Sequence, residues 1–343
     1  MEMGSPPRLK QAHLRSHAVP DARTDGVLRR LMAGLEALVE SFLVTTHPTG
    51  DQYEINFQEQ RAVITEVGAT LRVYSVDDRD VVSGFAEDTV QDGRGNQLLP
   101  WPNRIRDGKY NFDGVPQQLA LTEADRRNAI HGLVRHVVWD LINLTADAVT
   151  QRVRLYPQPG WPGILEASIT HSLSSDGLEV EVSATNIGST PIPFGYGAHP
   201  FFTVGEETVD DIVLELPAAS YLEVDDRLLP LRVSPVEGTE KDFREPSPLG
   251  KVSLDSAFTD LIRGADGRAR VKLSRGDRYA ELWVDETMGW LQVFSGNERR
   301  DIALAVEPMS CGPDAFNPGP TGADLIVLQP GESFLGRWGI AGF

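Results

Sequence analysis

Apolar and polar residues alternate with a period of two along much of the chain, as they do in β-strands that bury one face. The clearest case is the pair of runs 164–173 and 178–184, which are joined by the turn residues Ser-Ser-Asp-Gly at 174–177. We expect these runs to form a hairpin with one buried face. His171 falls on the apolar face, and we interpret it as a core histidine rather than a catalytic one.

Further β-type runs follow one another at short intervals, with turn residues between them. They are 62–67, 70–74, 80–82, 211–216, 269–274, 279–284, 290–295, 302–307, 324–329 and 333–340. Helical periodicity is almost absent after residue 45. Strands without intervening helices favour an antiparallel sandwich or barrel over βαβ units.

The first 45 residues have a different pattern. Residues 1–20 are polar and contain three prolines, so we expect them to be disordered. From Asp25 the apolar residues are spaced as on one face of a helix, and these are Val27, Leu28, Leu31, Leu35, Leu38 and Phe42. We therefore predict two parts, an N-terminal extension over 1–45 with one amphipathic helix and a single all-β domain over 46–343.

The composition and charge of the chain indicate which partners and which cellular compartment to expect. The net charge of −18 would repel a phosphate-rich polymer, so we expect no nucleic-acid partner. No apolar run reaches the length of a transmembrane helix, and the first residues lack the apolar core of a secretory signal. The single cysteine, Cys311, fits a reducing compartment. We expect a cytoplasmic protein without a membrane partner, as a monomer or weak homodimer.

Two ionisable residues stand out as a candidate acid and base. His199 lies in Gly-Tyr-Gly-Ala-His-Pro-Phe-Phe, and Glu307 lies in Leu-Ala-Val-Glu-Pro-Met. Each ends an apolar run and is followed by proline, and an imidazole and a carboxylate are groups that can move protons at neutral pH. Cys311 follows Glu307 closely, but no histidine or cation is local to it. We interpret it as a small loop residue rather than a nucleophile.

Several polar residues are candidates for binding a small polar ligand. Asn103 and Arg104 follow the stiff Pro-Trp-Pro loop, and Arg104 would bind two adjacent hydroxyls or a carboxylate unless it forms an ordinary surface ion pair. His131 precedes a glycine, which permits close backbone approach, although a lone histidine is more often structural. Both interpretations stay open for each residue.

The remaining candidates are Asp255, Asp260 and Gln292. Asp255 and Asp260 lie in one segment, and each is either a ligand-binding carboxylate or a turn or cap residue. Gln292 shares one face of an extended run with Trp290 and Phe294, which suits the apolar faces and hydroxyl edges of a sugar ring, or equally a packed core.

Common motifs for nucleotide binding, nucleophilic catalysis and zinc binding are absent from the sequence. No Gly-x-Gly-x-x-Gly opens a helix, and there is no P-loop, Gly-x-Ser-x-Gly or His-Glu-x-x-His. His131 and His136 have no neighbouring residue that would complete a zinc site. We therefore predict no nucleotide cofactor and no zinc site.

Taken together, six segments resemble the aldose 1-epimerase (galactose mutarotase) family, over roughly residues 50–343. They are Pro-Trp-Pro-Asn-Arg-Ile with Gly-Lys-Tyr-Asn-Phe-Asp-Gly, Asn-Ala-Ile-His-Gly-Leu, His-Pro-Phe-Phe, Leu-Asp-Ser-Ala-Phe, Gln-Val-Phe-Ser-Gly-Asn and Val-Glu-Pro. The resemblance implies a large antiparallel β-sandwich, the galactose mutarotase-like supersandwich.

The resemblance also implies an activity that needs no metal and no organic cofactor, and it implies roles for the candidates. Glu307 would be the general base and His199 the general acid that interconvert the α and β anomers of a free hexose. The sugar site would be lined by Asn103, Arg104, His131, Asp255 and Gln292. We expect the acid and base to face opposite edges of one pyranose, near enough for each to favour the ionised form of the other.

The residues also allow three alternative functions. One is a hexose-6-phosphate 1-epimerase, in which Arg106 and Lys109 would supply cations for the phosphate. Another is a non-catalytic carbohydrate-binding protein of the same fold. A third is a glycosidase that uses Asp255 and Glu307 as its two carboxylates. Four positions depart from the family's common pattern, Ile130, Leu133, Ala198 and Phe201, and we expect them to affect sugar preference rather than reaction type.

Overall fold

The chain is built almost entirely of β-strands in the computed structural model, which describes residues 46–89, 93–205, 208–296 and 303–342. Within these ranges the helical segments are two 3-10 turns, Val209–Asp211 and Gly322–Asp324. None of the described helices has the length and hydrophobicity that a membrane span requires. The extension predicted over 1–45, with its helix, lies outside the described residues.

The strands are short and follow one another closely. The first thirteen are β1 (Gln52–Phe57), β2 (Gln60–Thr65), β3 (Leu71–Val76), β4 (Arg79–Val82), β5 (Gln97–Leu98), β6 (Arg104–Arg106), β7 (Lys109–Phe112), β8 (Val115–Gln118), β9 (Asn128–Ile130), β10 (Asp140–Leu144), β11 (Ala148–Leu155), β12 (Leu165–Ser174) and β13 (Gly177–Asn186). The others are β14 (Ile192–Phe194), β15 (Gly197–Ala198), β16 (Phe201–Phe202), β17 (Val213–Glu215), β18 (Ala218–Val224), β19 (Pro230–Pro235), β20 (Ser247–Pro248), β21 (Asp255–Leu261), β22 (Ala269–Arg275), β23 (Arg278–Val284), β24 (Trp290–Phe294), β25 (Leu304–Met309), β26 (Ile326–Leu328) and β27 (Ser333–Gly342).

Two large antiparallel sheets dominate the described part of the chain. The 12-stranded sheet runs β1-β2-β3-β4-β16-β25-β24-β21-β18-β19, and in addition β15 pairs with β25 and β5 pairs with β15. The 9-stranded sheet runs β10-β11-β12-β13-β27-β23-β22-β17-β20. Three two-stranded pairs complete the architecture, β14-β26, β6-β9 and β7-β8. Both large sheets have free edges, so the fold is a sandwich and not a closed barrel.

The core lies between the two large sheets. Strands β12 and β13 pair in register from Leu165↔Asn186 to Ser174↔Gly177, and alternate residues of each are buried. The predicted hairpin is therefore confirmed. Inward side chains such as Ile169 of the 9-stranded sheet and Ile64 of the 12-stranded sheet belong to one hydrophobic cluster. Burying these faces against each other is the main stabilising contribution expected for such a fold.

His171 is part of this core, as its place on the apolar face predicted. It is fully buried, and its Nε2 lies 3.5 Å from Nε2 of Gln97. A chain of polar contacts continues from there, since the Tyr196 hydroxyl donates to Oε1 of Gln97 at 2.7 Å and Nε1 of Trp338 donates to that hydroxyl at 2.8 Å. Burial lowers the pKa of His171 from 6.5 to about 3, so it is neutral in the folded protein at physiological pH.

We expect His171 to make the fold acid-sensitive. A folded-state pKa below the unfolded value means that the unfolded chain binds the proton more tightly. The contribution to stability is therefore complete above about pH 6.5 and is lost as the pH falls toward 3. Between pH 7 and pH 5 the free energy of unfolding should fall by about 2 kcal/mol more in the natural protein than in His171→Gln. Urea titrations at the two pH values measure this difference, and equal losses would contradict it.

Candidate active site

Three predicted site residues lie on neighbouring strands of the 12-stranded sheet. Glu307 is on β25, Gln292 is directly opposite it on β24, and Asp255 begins β21 on the far side of β24. Nε2 of Gln292 donates a hydrogen bond to Oδ1 of Asp255 at 2.6 Å. Gln292 and Glu307 are buried, and Asp255 is half-buried. The sheet thus presents a carboxylate, an amide and a second carboxylate in a row.

His199 reaches this row from the short connection between β15 and β16. Its Nε2 lies 3.2 Å from Oε1 of Glu307. The backbone of His199 is held on both sides, since its amide donates to the carbonyl of Asn96 at 3.0 Å and its carbonyl accepts from the amide of Gly95 at 2.8 Å. The ring of Phe201 stacks on the imidazole with centroids 5.0 Å apart and planes 4° from parallel. The imidazole is therefore fixed in orientation before any ligand arrives.

A glycine makes room for the imidazole. A Cβ at Gly93 would lie 3.2 Å from the ring of His199, and the backbone there has a φ of +86°. Only glycine meets both conditions without strain.

Asn103 and His131 face the row of strands from two loops that pair through β6 and β9. Both have left-handed backbone, with φ of 52° and 63°, and the amide of His131 donates to the carbonyl of Asn103 at 2.9 Å. Non-glycine residues in this region are strained by about 1–3 kcal/mol, and such strain clusters at functional sites. Gly132 also has a positive φ, and a Cβ on it would come 2.2 Å from the carbonyl oxygen of Leu99. This explains physically why glycine follows His131.

Arg104 is buried and is held by Glu123. Its Nε and Nη2 atoms contact the Glu123 carboxylate at 3.0–3.2 Å, in a paired geometry. Asn128 donates to the same carboxylate at 2.8 Å. Nη2 of Arg104 also lies 3.9 Å from Oδ2 of Asp255. The arginine therefore forms a buried ion pair and also approaches Asp255, so the two alternatives offered by the sequence are not exclusive.

Burial sets the proton affinities of two groups at the site. The pKa of Glu307 is raised well above 4.5, chiefly by burial and further by the charge of Asp255, while Arg104 acts in the opposite direction. The pKa of His131 is lowered well below 6.5, chiefly by burial and then by the positive charges of His199, Arg135 and Arg104. His131 is therefore neutral at pH 7 and offers an N–H dipole rather than a charge.

These groups surround one cavity of about 300 Å³. The structure brings all seven predicted site residues to its wall, namely Asn103, Arg104, His131, His199, Asp255, Gln292 and Glu307. Of the other lining residues, the sequence did not single out Gly93, Thr122, Glu123, Arg126 and Arg135, whereas Ile130 and Phe294 stand in the segments of His131 and Gln292. Glu123 was missed because it lies in a polar segment without periodicity. Phe294 was visible as the neighbour of Gln292 in the alternating pattern.

Two expectations need correction. The imidazole and the carboxylate do not face each other across the width of a ring, because Nε2 of His199 and Oε1 of Glu307 are in contact. Their proximity was expected to favour the ionised form of each, but burial dominates for Glu307 and raises its pKa. The contact between the two side chains and the raised pKa of Glu307 have one cause. Strand β25 and the segment between β15 and β16 that carries His199 converge at the same buried point.

Other candidates lie apart from the cavity. Arg106 pairs with Asp314 at 3.3 Å, and neither Arg106 nor Lys109 lines the wall. Cys311 is buried in the loop after β25, and burial raises the pKa of its thiol to about 12, which fits the interpretation as a loop residue. Within the described ranges, no group of three or more His, Cys, Asp or Glu side chains is arranged to hold a metal ion.

Comparison with known proteins agrees with the geometry. The sequence model of the family described as aldose 1-epimerase matches residues 51–340. The chain is 31% identical over 292 residues to the uncharacterized protein YihR of Escherichia coli (strain K12), covering 84% of this chain and 92% of that protein. It is 28% identical over 339 residues to the galactose mutarotase of Homo sapiens, covering 88% and 97%.

A solved structure supports the fold. The aldose epimerase homologue of C. elegans matches 85% of this chain and 98% of its own with a TM-score of 0.75 at 20% identity. The sandwich is therefore of the galactose mutarotase-like type. The chain belongs to the aldose 1-epimerase family.

Proposed function

We propose that this protein is an isomerase, an aldose 1-epimerase that interconverts the α and β anomers of a free hexose. The observation that carries the proposal is the buried contact of 3.2 Å between His199 and Glu307 at the wall of a polar cavity. An acid and a base in this arrangement can act on two atoms that lie close together. The raised pKa of Glu307 supports the role of base, since a base is most effective when its pKa lies near the working pH.

The proposed reaction has two proton transfers in each direction. Glu307 removes the proton of the C1 hydroxyl, and His199 gives a proton to the ring oxygen. The bond from C1 to the ring oxygen breaks, and the C1 carbonyl forms. Rotation about the C1–C2 bond presents the other face of the aldehyde, and ring closure returns both protons. His199 and Glu307 regain their initial protonation states, so these steps use only side chains of this chain.

The direct contact between acid and base suits this chemistry. The C1 hydroxyl oxygen and the ring oxygen are bonded to the same carbon. The hydroxyl oxygen, C1 and the ring oxygen therefore form a compact group of three atoms. One side of this group can contact Oε1 or Oε2 of Glu307 and Nε2 of His199 at the same time. In the described residues Oε2 of Glu307 has no hydrogen-bond partner although it is buried, which supports its use toward a ligand.

The remaining wall residues would bind and orient the sugar. Asp255 and Gln292 offer acceptors and donors for hydroxyl groups on the strand side. On the loop side, Arg104 and the neutral His131 would donate to oxygens on which negative charge develops, and this is a preorganised electrostatic contribution. Asn103 adds an amide at the same wall. We propose binding roles for all five.

The charge balance of the cavity favours a neutral ligand. Three arginines line it, Arg104, Arg126 and Arg135, together with three carboxylates, Glu123, Asp255 and Glu307, and the imidazolium proposed for His199 adds one positive charge in contact with Glu307. A site for a phosphorylated hexose would need a surplus of cations. We therefore place the hexose 6-phosphate epimerase second. The glycosidase alternative is weaker, because Asp255 is engaged by Gln292 and Arg104.

We also propose the wider setting. The partner is a small aldose, with no nucleic acid and no membrane, and the protein acts in the cytoplasm as a monomer or weak homodimer. The strongly negative net charge supports the first point, and the buried thiol of Cys311 is compatible with a reducing compartment.

Polarimetry tests the proposal directly. We expect the purified chain to accelerate the loss of optical rotation of freshly dissolved α-glucose or α-galactose well above the uncatalysed rate. Glucose 6-phosphate in the same assay should be a poorer substrate. Preferred turnover of the phosphate would favour the second alternative, and no turnover of any aldose would favour a non-catalytic binding protein. Release of new reducing ends from an oligosaccharide would favour the glycosidase.

A further inference from the structure

Phe201 contacts the proposed acid but does not reach the ligand. Its ring is stacked on the imidazole of His199, with centroids 5.0 Å apart and planes 4° from parallel. The side chain is 8% exposed, and the described residues that line the catalytic cavity do not include it. A sugar in the cavity would meet the imidazole and not the phenyl ring. An influence of Phe201 on the reaction would therefore act through His199.

The register of the 12-stranded sheet explains why a phenyl ring lies there. Phe201 of β16 pairs with Ala305 of β25, and Ala305 pairs with Phe294 of β24. Glu307 is two residues beyond Ala305, so its side chain is on the same face of the sheet. The small side chain of Ala305 leaves room for the two phenyl rings to meet edge to face, with centroids 6.4 Å apart and planes at 89°. Phe294 thus supports the ring of Phe201 beside the acid and the base.

The stack favours one protonation state of the imidazole. The face of an aromatic ring carries partial negative charge and attracts a cation placed against it. Imidazolium is such a cation, and neutral imidazole is not. In the proposed reaction His199 is imidazolium when it gives its proton to the ring oxygen. The phenyl ring therefore stabilises the form of His199 that acts as the acid.

The stack also limits the tilt of the imidazole. A second ring, that of His131, meets the imidazole edge to face with centroids 5.3 Å apart. The parallel contact with Phe201 and the edge contact with His131 come from different segments of the chain. Nε2 of His199 is thereby held at its distance of 3.2 Å from Oε1 of Glu307.

Charged groups face the imidazole from several elements. Glu307 on β25 is in contact with it and favours the imidazolium. The guanidinium of Arg94 lies 5.3 Å from the centre of the Phe201 ring, donates to the carbonyl of Gly84 at 3.2 Å and opposes the imidazolium. The cavity is lined by five more charged residues, Arg104, Glu123, Arg126, Arg135 and Asp255. An uncharged replacement of Phe201 alters none of these charges, so its effect reports on the ring itself.

We propose that Phe201 is a positioning residue for proton transfer, whose ring orients the imidazole of His199 and stabilises its protonated form. The inference rests on the proposed function, because it takes His199 as the acid. It goes beyond that function by giving the acid a partner outside the cavity. The sequence favoured an effect of this position on sugar preference, whereas its contacts assign it to the acid.

Variants of Phe201 separate the aromatic face from apolar volume. We expect Phe201→Leu to lower kcat for mutarotation of α-glucose by about tenfold and to change KM by less than about threefold, because the imidazole loses its support while the cavity wall keeps its sugar contacts. Phe201→Tyr keeps the aromatic face and should keep kcat within about threefold of the natural value. Phe243→Leu is the matched control, since Phe243 is 3% exposed in the main core and does not line the cavity, and its kcat should not change.

The alkaline limb of the pH profile distinguishes this role from a purely structural one. Without the ring the imidazolium is less stable, so His199 loses its proton at a lower pH. The pH at which kcat/KM falls on the alkaline side, corrected for the uncatalysed rate, should decrease by about 0.5–1 in Phe201→Leu. It should not move in Phe201→Tyr or Phe243→Leu. A general loss of folded protein would lower the rate at every pH without moving this limb.

Thermal unfolding and calorimetric titration with hexose establish that each variant folds and binds. Phe201→Met is a second non-aromatic variant, on which the same comparison is made where Phe201→Leu does not fold. A natural kcat with an unmoved alkaline limb in the non-aromatic variant would overturn the inference. Equal losses in that variant and in Phe201→Tyr, or a change confined to KM, would overturn it as well. These outcomes leave the proposed function standing, whereas a natural protein that turns over no aldose removes both.

Discussion

Replacing Glu307 by glutamine should lower kcat for mutarotation by about 10²–10⁴-fold, the usual contribution of one positioned general base. Glutamine has nearly the same shape as glutamate and can keep a hydrogen bond to Nε2 of His199, 3.2 Å away in the natural protein. It cannot accept the proton of the C1 hydroxyl. The change removes the chemical step without emptying the wall of the cavity.

Sugar binding should survive the same substitution. Arg104, Asp255 and Gln292 are held by contacts that do not involve Glu307, such as the bond of 2.6 Å between Gln292 and Asp255. The substitution also removes a buried group whose raised pKa signals a cost of ionisation, so the fold should not lose stability. Calorimetric titration with hexose should give a dissociation constant within about tenfold of the natural one.

A matched control tests whether the loss of kcat is specific to Glu307 or follows the loss of any carboxylate with a raised pKa. Asp80 is a partly desolvated carboxylate on β4 with a raised pKa, and it does not line the cavity. Asp80→Asn should leave kcat unchanged. A Glu307→Gln protein that kept natural turnover would remove Glu307 from the mechanism, whatever the control showed.

The sequence predicted the strands that line the cavity better than the arrangement around them. Strands β24 and β25 were recognisable because their apolar runs are flanked by turn residues, and each delivers one polar side chain to the cavity. What the pattern could not supply was their register. The pairing Gln292↔Glu307 depends on packing between sheets, and a shift of one residue would send either side chain to the opposite face.

The segments that were missed lack the pattern on which such predictions depend. All five residues of β10 are exposed, so no alternation of buried and exposed positions marks that strand. The hairpin β7–β8 was not predicted, although its turn, Asp113-Gly114 between Phe112 and Val115, is a strong hairpin signal. Local turn chemistry would have identified it where periodicity did not.

The polar shell of the site was the least predictable part. Glu123 orients Arg104 from 19 positions away in the sequence, in a segment with no regular pattern. The left-handed backbone of Asn103 and His131 is a property of the paired loops and not of either residue alone. Such features depend on how distant segments meet, which a single sequence does not state.

Replacing His199 by asparagine should also lower kcat by about 10²–10⁴-fold, because an amide cannot give a proton to the ring oxygen. It should in addition change the pH dependence, which a purely structural role would not do. In the natural protein, activity should fall as the pH drops through the raised pKa of Glu307 and the base becomes protonated. This acid limb of kcat/KM should therefore lie above pH 4.5, the ordinary value for glutamate.

In His199→Asn the acid limb should move to still higher pH. Without the imidazole beside Oε1, burial and the charge of Asp255 still disfavour the Glu307 carboxylate, and Arg104 opposes them from further away. The pH profile of the residual kcat/KM, corrected for the uncatalysed rate, measures the shift. His136→Asn is the control, since His136 is exposed and lies outside the catalytic cavity. An acid limb that stayed at the same pH, or moved to lower pH, would show that His199 does not stabilise the ionised form of Glu307. An unchanged kcat would show that His199 is not the acid.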